Sequence, residues 1–353
     1  MTSYEEPTEV PVVDWPLAIQ VDVINAMLNF EIVDHPVYQG MEIQHFDDAG
    51  HGTGMLVMLV RTADGKVDVY RQPGLSVDPS SYGINAGLGD WLTASIEPAK
   101  LTPTPIGVHA AVRFHDSSGR LIEVYVDDRD GRTRRPAALL APFGSAIENP
   151  ASLLLVWMRQ FDLVRTSGQQ PVIRIDGQPV TIGRLPGVRL HRRHLIKYAA
   201  DLWAVEVNPD DGGGGSDAHN ASLVAQLPGD RTPRARLAMD PPIPPPAAVP
   251  AGPPVRGTWT VGIADVPAVT GGTWVASRTG DTVELTLDVT RRWWPRRLPL
   301  LMRIVTTLAP VFRRWPTTYR WTARTTVGAE PKVSAAWHRT SRQRDASYRR
   351  VTR

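Results

Sequence analysis

Short stretches of alternating apolar and polar residues, each closed by a turn signal after roughly ten residues, set the tightest limit on this chain's fold. Residues 109–115 and 119–125 flank Asp116-Ser117-Ser118-Gly119, which suits a type I turn closing on a left-handed glycine. With His115 opposite Gly119, Val108, Ala110 and Val112 face Val126, Val124 and Ile122, so one side of the hairpin is wholly apolar. The other side carries His109, Arg113, Glu123 and Tyr125. Thr62-Ala63-Asp64-Gly65 follows the same grammar and sets Val57 and Leu59 opposite Val69 and Val67. Asp176-Gly177 supplies a two-residue turn between 172–175 and 178–182, and Thr279-Gly280 does likewise between 274–278 and 281–289. Such hairpins predict antiparallel sheets packed or curled around a core.

Helix signals are scarce. Residues 15–30 begin with strand alternation (Leu17, Ile19, Val21, Val23) and end with helical spacing (Ile24, Met27, Leu28), so both readings stay open there. A short helix is expected within 137–165, ahead of a strand at 153–164. The best helix candidate is 300–308, with Pro299 tolerable in a first turn and Pro310 ending it.

At 353 residues the chain suits two domains. Nine prolines between 229 and 256 mark the boundary, because a segment so poor in donors behaves as an extended spacer. The expected plan is an acidic arm over 1–36, a β domain over 37–228, the proline-rich linker over 229–256, a second β domain over 257–340 and a basic tail over 341–353. Gly212–Gly215 reads as a loop inside the first domain. Charge is strongly polarised: residues 1–60 hold ten acids and no Lys or Arg, whereas 289–353 hold sixteen bases and two acids. Either the two ends meet, or the basic end meets an anionic partner. The absence of cysteine excludes disulfides and thiolate chemistry. With no secretory signal and no apolar run of the roughly 18 residues that span a bilayer, the expected location is cytoplasmic, with peripheral membrane contact as the alternative.

Residues 289–329 contain nine arginines, four tryptophans and no acid around the apolar stretch 298–312. Indole prefers headgroup depth and guanidinium pairs with phosphate, so the run reads as a lid or an anionic-membrane contact. The residues in question are Arg291, Arg292, Trp293, Trp294, Arg296, Arg297, Arg313 and Arg314. A packing helix is the rival reading. Only four of the 39 bases are lysine and no reader motif is present, so nucleic acid is not expected.

Candidates for chemistry are few. His109 and Tyr125 are cross-strand neighbours in the register above, with Glu123 on the same side, and in a sheltered cavity such groups move protons near neutral pH. A solvated outer face is the alternative. His35, His45 and His51, and His191 with His194, show no ligand spacing of a known motif, so no metal is expected. The stretch 83–89 is glycine-rich but precedes a strand-like run, so it reads as a loop and not a phosphate cradle. No cofactor is implied. Tyr70, Trp91, Trp157, Tyr198, Trp259, Trp315 and Tyr319 are candidates to line an apolar cavity, with core packing as the other use of such aromatics.

Gly257-Thr258-Trp259, directly after the spacer, resembles the Gly-x-Trp that opens the first barrel strand of lipocalin-like (calycin) proteins. Gly89-Asp90-Trp91 and Gly272-Thr273-Trp274 repeat the pattern. The tandem arrangement is similar to two-domain proteins of the carotenoid-hydratase and AttH type. That resemblance implies an arginine stacked on Trp259, a part for Arg320, and a greasy substrate. The reading is thus a mainly β protein of two antiparallel domains, lipocalin-like barrels favoured, with few short helices. Its expected function is to bind or carry a hydrophobic small molecule (isoprenoid, polyketide or lipid) inside a barrel. The alternatives are cofactor-independent hydration, isomerisation or cyclisation of such a molecule, and a scaffold on the membrane surface.

Overall fold

The computed structural model describes residues 14–79, 86–142, 149–166, 169–185, 187–208, 222–227, 232, 234–294, 298, 300–308, 312, 314–327 and 332–340. The acidic residues before 14, the glycines 212–215, Gly83, Pro299, Pro310, Arg296, Arg297, Arg313 and the basic tail lie outside them.

The protein is mainly β, and its strands form three sheets. The strands are β1 (Ile19–Val33), β2 (Tyr38–Asp48), β3 (Gly52–Arg61), β4 (Val67–Arg71), β5 (Leu88–Thr93), β6 (Ala99–Thr104) and β7 (Gly107–His115). There follow β8 (Leu121–Asp127), β9 (Ala137–Pro142), β10 (Leu153–Arg165), β11 (Val172–Ile175), β12 (Gln178–Pro179), β13 (Thr181–Ile182) and β14 (Arg193–Val207). The rest are β15 (Ser222–Ala225), β16 (Ala235–Asp240), β17 (Val255–Ile263), β18 (Val266–Thr279), β19 (Thr282–Arg291), β20 (Tyr319–Thr326) and β21 (Val333–Arg339). The short helix α1 (Val188–His191) precedes β14, and α2 (Leu300–Leu308) follows β19 at the expected place.

Sheet 1 runs β5-β4-β3-β2-β1-β14-β10-β9, with β13 beside the end of β1. Among the described residues, only the β4–β5 pair is parallel. Sheet 2 runs β12-β11-β8-β7-β6, and sheet 3 is a meander from β15 to β21.

The long central strands of sheet 1 serve both other sheets. Leu17, Ile19, Val21 and Val23 enter one core with the inner residues of sheet 3, whereas Ala26, Leu28, Phe30 and Ile32 enter a second core with sheet 2. The phase of alternation therefore slips by one residue near Asn25. It slips at the same level in β14, between Tyr198 and Trp203, and in β10, between Trp157 and Phe161. Asp201 marks this seam with a left-handed backbone (φ 58°), a conformation that aspartate tolerates better than most residues. Its carboxylate takes the Arg159 guanidinium at 2.6 Å. The helical spacing in residues 15–30 is this slip, and the segment is strand from Ile19 onward. The expected acidic arm thus contains the central strand of sheet 1.

Sheet 3 is packed with indoles. Trp259, Trp274, Trp321 and Trp337 are all buried, beside Val261, Leu285 and Leu287 and the facing Trp157 and Trp203. Outward positions alternate with them as threonines and cross-strand ion pairs, Asp288 with Arg320 and Glu284 with Arg324. Gly257 lies opposite Trp274, and a side chain there would collide with that indole. The sheet stays open: β15 and β21 end it, and sheet 1 closes the core. The Trp337 indole donates to the carbonyls of Val207 and Asn208 at the end of β14 (2.9 and 3.1 Å). A core shared in this way is a half-barrel capped by another sheet. The linker also differs, since β16 and the start of β17 lie inside 229–256. The proline-free run Ala235–Asp240 keeps its donors and pairs on both sides.

Turn residues locate the hairpins, but registers differ in detail. Asp176 and Gly177 (φ 53° and 73°) form the expected two-residue turn. His115 pairs with Leu121, a two-residue shift that preserves both faces of that hairpin. Thr279 pairs with Thr282, so the second turn is Gly280-Asp281. The Thr62–Gly65 hairpin is off by one: Val57 faces Tyr70 and Leu59 faces Asp68, which exchanges the faces of β4. Asp68 tolerates this burial because Arg61 pairs with it at 2.5 Å. Where a helix is expected after 137, the described residues form β9.

Sheet 2 is clasped to sheet 1 by a buried ion pair. Asp128 accepts the Val108 and Arg165 amides (2.7 and 2.9 Å) and the Arg134 guanidinium (3.1 Å), which also donates to the Ile106 carbonyl. Both side chains are almost inaccessible to solvent. Arg134→Met strands the carboxylate without its counter-charge and should cost about 3–5 kcal/mol. A lowered urea midpoint with an unchanged slope is the expected readout.

Candidate functional site

Beyond Val289, the pairing of β18 with β19 loses its regularity. Gly271 pairs with Arg291 and Gly272 with Val289, leaving Thr290 as an extra residue. Gly272 permits this, since a side chain there would collide with the Asp288 carbonyl, and the Thr270 hydroxyl fixes the turn by donating to the Arg291 carbonyl at 2.7 Å. The bulge re-aims Arg291 at the end of β19, and Arg292, Trp293 and Trp294 then leave sheet 3 toward β9 and β10.

A cleft of about 610 Å³ results. One wall is Pro136, Ala137 and Ala138 with Trp157 and Arg159 of β10; the other is the β17–β18 turn at Asp265–Ala268; Arg291 to Trp294 form the third side. Trp293 meets Trp157 edge to face, with ring centres 6.0 Å apart. The Arg292 guanidinium lies over Trp294 at 4.8 Å, and Arg159 lies over Trp203 at 5.4 Å. Three arginines and one acid, Asp265, border the opening, and with Arg159 already paired to Asp201 the sum of these charges is still positive. The arrangement suits a ligand with a flat or apolar body and an anionic head.

Expected site residues divide sharply. Trp157, Arg291, Arg292, Trp293 and Trp294 come together in this cleft, and Arg314 is exposed nearby in sequence. Tyr70, Tyr198, Trp259, Trp315 and Tyr319 are buried core, and Trp91 packs half-buried against sheet 1. They are spread over different cores and do not converge. Burial raises the pKa of Tyr198, and that of Tyr319 to about 12. Arg320 does not stack on Trp259. It points outward to Asp288, while the Trp259 indole points inward and donates to the Asp288 carbonyl at 3.2 Å. Arg159 and Asp265 were not legible as site residues: nothing local distinguishes them, and only the seam and the bulge bring them to the cleft.

The histidine hairpin is an outer face. His109 pairs with Asp127 and touches Tyr125 diagonally, ring centres 5.8 Å apart, while Glu123 pairs with Arg113 at 3.6 Å. Burial and then the Arg129 charge lower the His109 pKa. None of these three residues lines the cleft.

A second concavity, about 520 Å³, lies on the other face of sheet 1 over β1, β2 and β3. Glu42 sits in it, accepting from Gln44 (2.7 Å) and Asn29 (3.1 Å), and Lys197 donates to Asn29 (3.3 Å). Burial raises the Glu42 pKa, against both amide bonds. Its polar groups satisfy one another across the strands, so it reads first as a structural network.

The chain matches no protein-family model, and neither curated proteins nor solved structures give a match. No helix among the described residues is long and apolar enough to cross a membrane.

His51 has a structural role. Its Nε2 meets Asp22 at 3.1 Å and its Nδ1 meets Asp48 at 3.0 Å, tying the β2–β3 turn to β1. The Asp22 bond, opposed by burial and aided by both carboxylate charges, raises its pKa from 6.5 to about 9. A raised folded pKa adds stability that is whole below the unfolded value of 6.5 and fades as pH climbs through about 9. Urea midpoints for the wild type should therefore fall across that window, whereas those of His51→Gln should start lower and fall less.

Proposed function

We propose that the protein binds a hydrophobic small molecule bearing an anionic head, such as a carboxylated or phosphorylated isoprenoid, polyketide or lipid. The binding place is the cleft between β10, the β17–β18 turn and Arg291–Trp294, and not the interior of a barrel. The observation that carries this reading is the meeting of Trp157, Trp293 and Trp294 with Arg159, Arg291 and Arg292 around one opening. Indoles supply broad apolar contact at little entropic cost, and guanidinium favours carboxylate or phosphate by paired hydrogen bonds. The volume lies within the roughly 300–1,000 Å³ typical of small-molecule sites. Binding is preferred over turnover because the acid–base candidates His109, Glu123 and Tyr125 stand on another surface.

Titration of the intrinsic tryptophan fluorescence with a long-chain fatty-acid anion and with the matching alcohol tests the reading. Saturable quenching is expected for both, tighter for the acid. Arg291→Gln with Arg292→Gln should erase that preference, a loss of about tenfold or more for the acid. Trp294→Ala, at a site 64% exposed and so neutral for folding, should weaken both ligands. Absence of saturable binding, or equal binding that the arginine changes leave untouched, would overturn the proposal.

A further inference from the structure

The helix α2 buries one side and shows an apolar stripe on the other. Met302 and Thr306 turn inward with Leu298, where Leu298 and Met302 join the core over sheet 1. The Thr306 hydroxyl donates to the Met302 carbonyl at 2.9 Å, so its burial leaves nothing unsatisfied. Opposite lie Leu300, Ile304 and Leu308, spaced by four residues and therefore stacked in one stripe, with exposures of 73%, 46% and 61%. A helix that only covered a core would show polar residues there. This one shows Leu300, Ile304 and Leu308 to solvent.

We infer that the outward stripe of α2 is a docking face for an anionic lipid bilayer. The inference goes beyond the cleft and rests on residues that do not line it. Charge decides the occupant. Arg303 on α2 and Arg314 beyond it are exposed, and residues 289–329 contain no acid. Helices that lie in the headgroup layer combine these features, an apolar stripe to bury and cations to pair with lipid phosphate. A second copy of the chain fits worse. The stripe offers on the order of 300 Å² of apolar surface, against about 800 Å² per partner in a stable interface, and two copies would bring like charges together.

Co-sedimentation of the full chain with vesicles provides the test. Phosphatidylcholine vesicles should leave the protein in solution, and vesicles with about a third phosphatidylserine should carry it down, less so as salt rises. Leu300→Gln, Ile304→Gln and Leu308→Gln together should weaken the partition at least about tenfold, and Arg303→Gln with Arg314→Gln by a similar factor. The exposed triple variant should keep its fatty-acid quenching, which separates failure of this inference from failure of the cleft reading. Equal recovery on neutral and anionic vesicles, or no recovery on either, would overturn it. So would a concentration-dependent dimer in sedimentation equilibrium that the triple variant abolishes.

Discussion

Strands of fifteen residues, as β1 and β14 are, extend about 50 Å. One small sheet cannot cover such a length, so these strands carry sheet 2 along one half and sheet 3 along the other. The apolar pattern has to follow a twisting surface, and here it does so by slipping one residue at a transverse seam. In β1 the apolar series passes from odd to even numbers at Asn25. Strict alternation would have aimed Asn29 and Glu31 at the sheet 2 core and left Leu28 and Phe30 outside. The left-handed Asp201 and its pairing with Arg159 hold the slip in place, and the two cores depend on that geometry.

The cleft forms where this seam meets a second irregularity. Arg159, at the seam, faces the bulge at Thr290, which re-aims Arg291 and lets Arg292 to Trp294 leave sheet 3. Regular pairing at either place would have kept those side chains on the flat faces of their sheets. Trp293 contacts both neighbouring cores, so the segment is anchored while its flanking arginines stay at the opening. Bulges commonly re-aim side chains at functional sites in this way.

Much of the fold was legible because turn chemistry and period-two alternation are local. Asp176-Gly177, the apolar face of the Asp116 hairpin and the bounds of α2 needed no tertiary information. What escaped was non-local. The one-residue shift at the Thr62–Gly65 loop depends on a buried Arg61–Asp68 pair, which no turn propensity encodes. The acidic N-terminal residues looked like an arm because charge was conspicuous, yet two of them pair across sheet 1, Asp22 with His51 and Glu31 with Lys197. The proline-rich boundary concealed a strand, because eight of its nine prolines follow Asp240 and the run Ala235–Asp240 holds none. The aromatic candidates show the same limit. Sequence marks an indole as valuable, but whether it fills a core or lines an opening is decided by its neighbours across the sheet.

The cleft and the outward stripe of α2 share one stretch of chain, from Arg291 to Leu308, and this bears on selectivity. Moving an apolar chain from a bilayer to a protein cleft exchanges one greasy surrounding for another, since lipid tails are as apolar as leucine. Hydrophobic contact then contributes little net preference for the cleft over the membrane. Guanidinium groups held in fixed positions differ from mobile headgroups, because their orientation is set before the ligand arrives and their fork matches carboxylate or phosphate. On the proposed reading, then, the indoles make the cleft habitable for an oily molecule, while Arg159, Arg291 and Arg292 decide which head the protein selects from the bilayer.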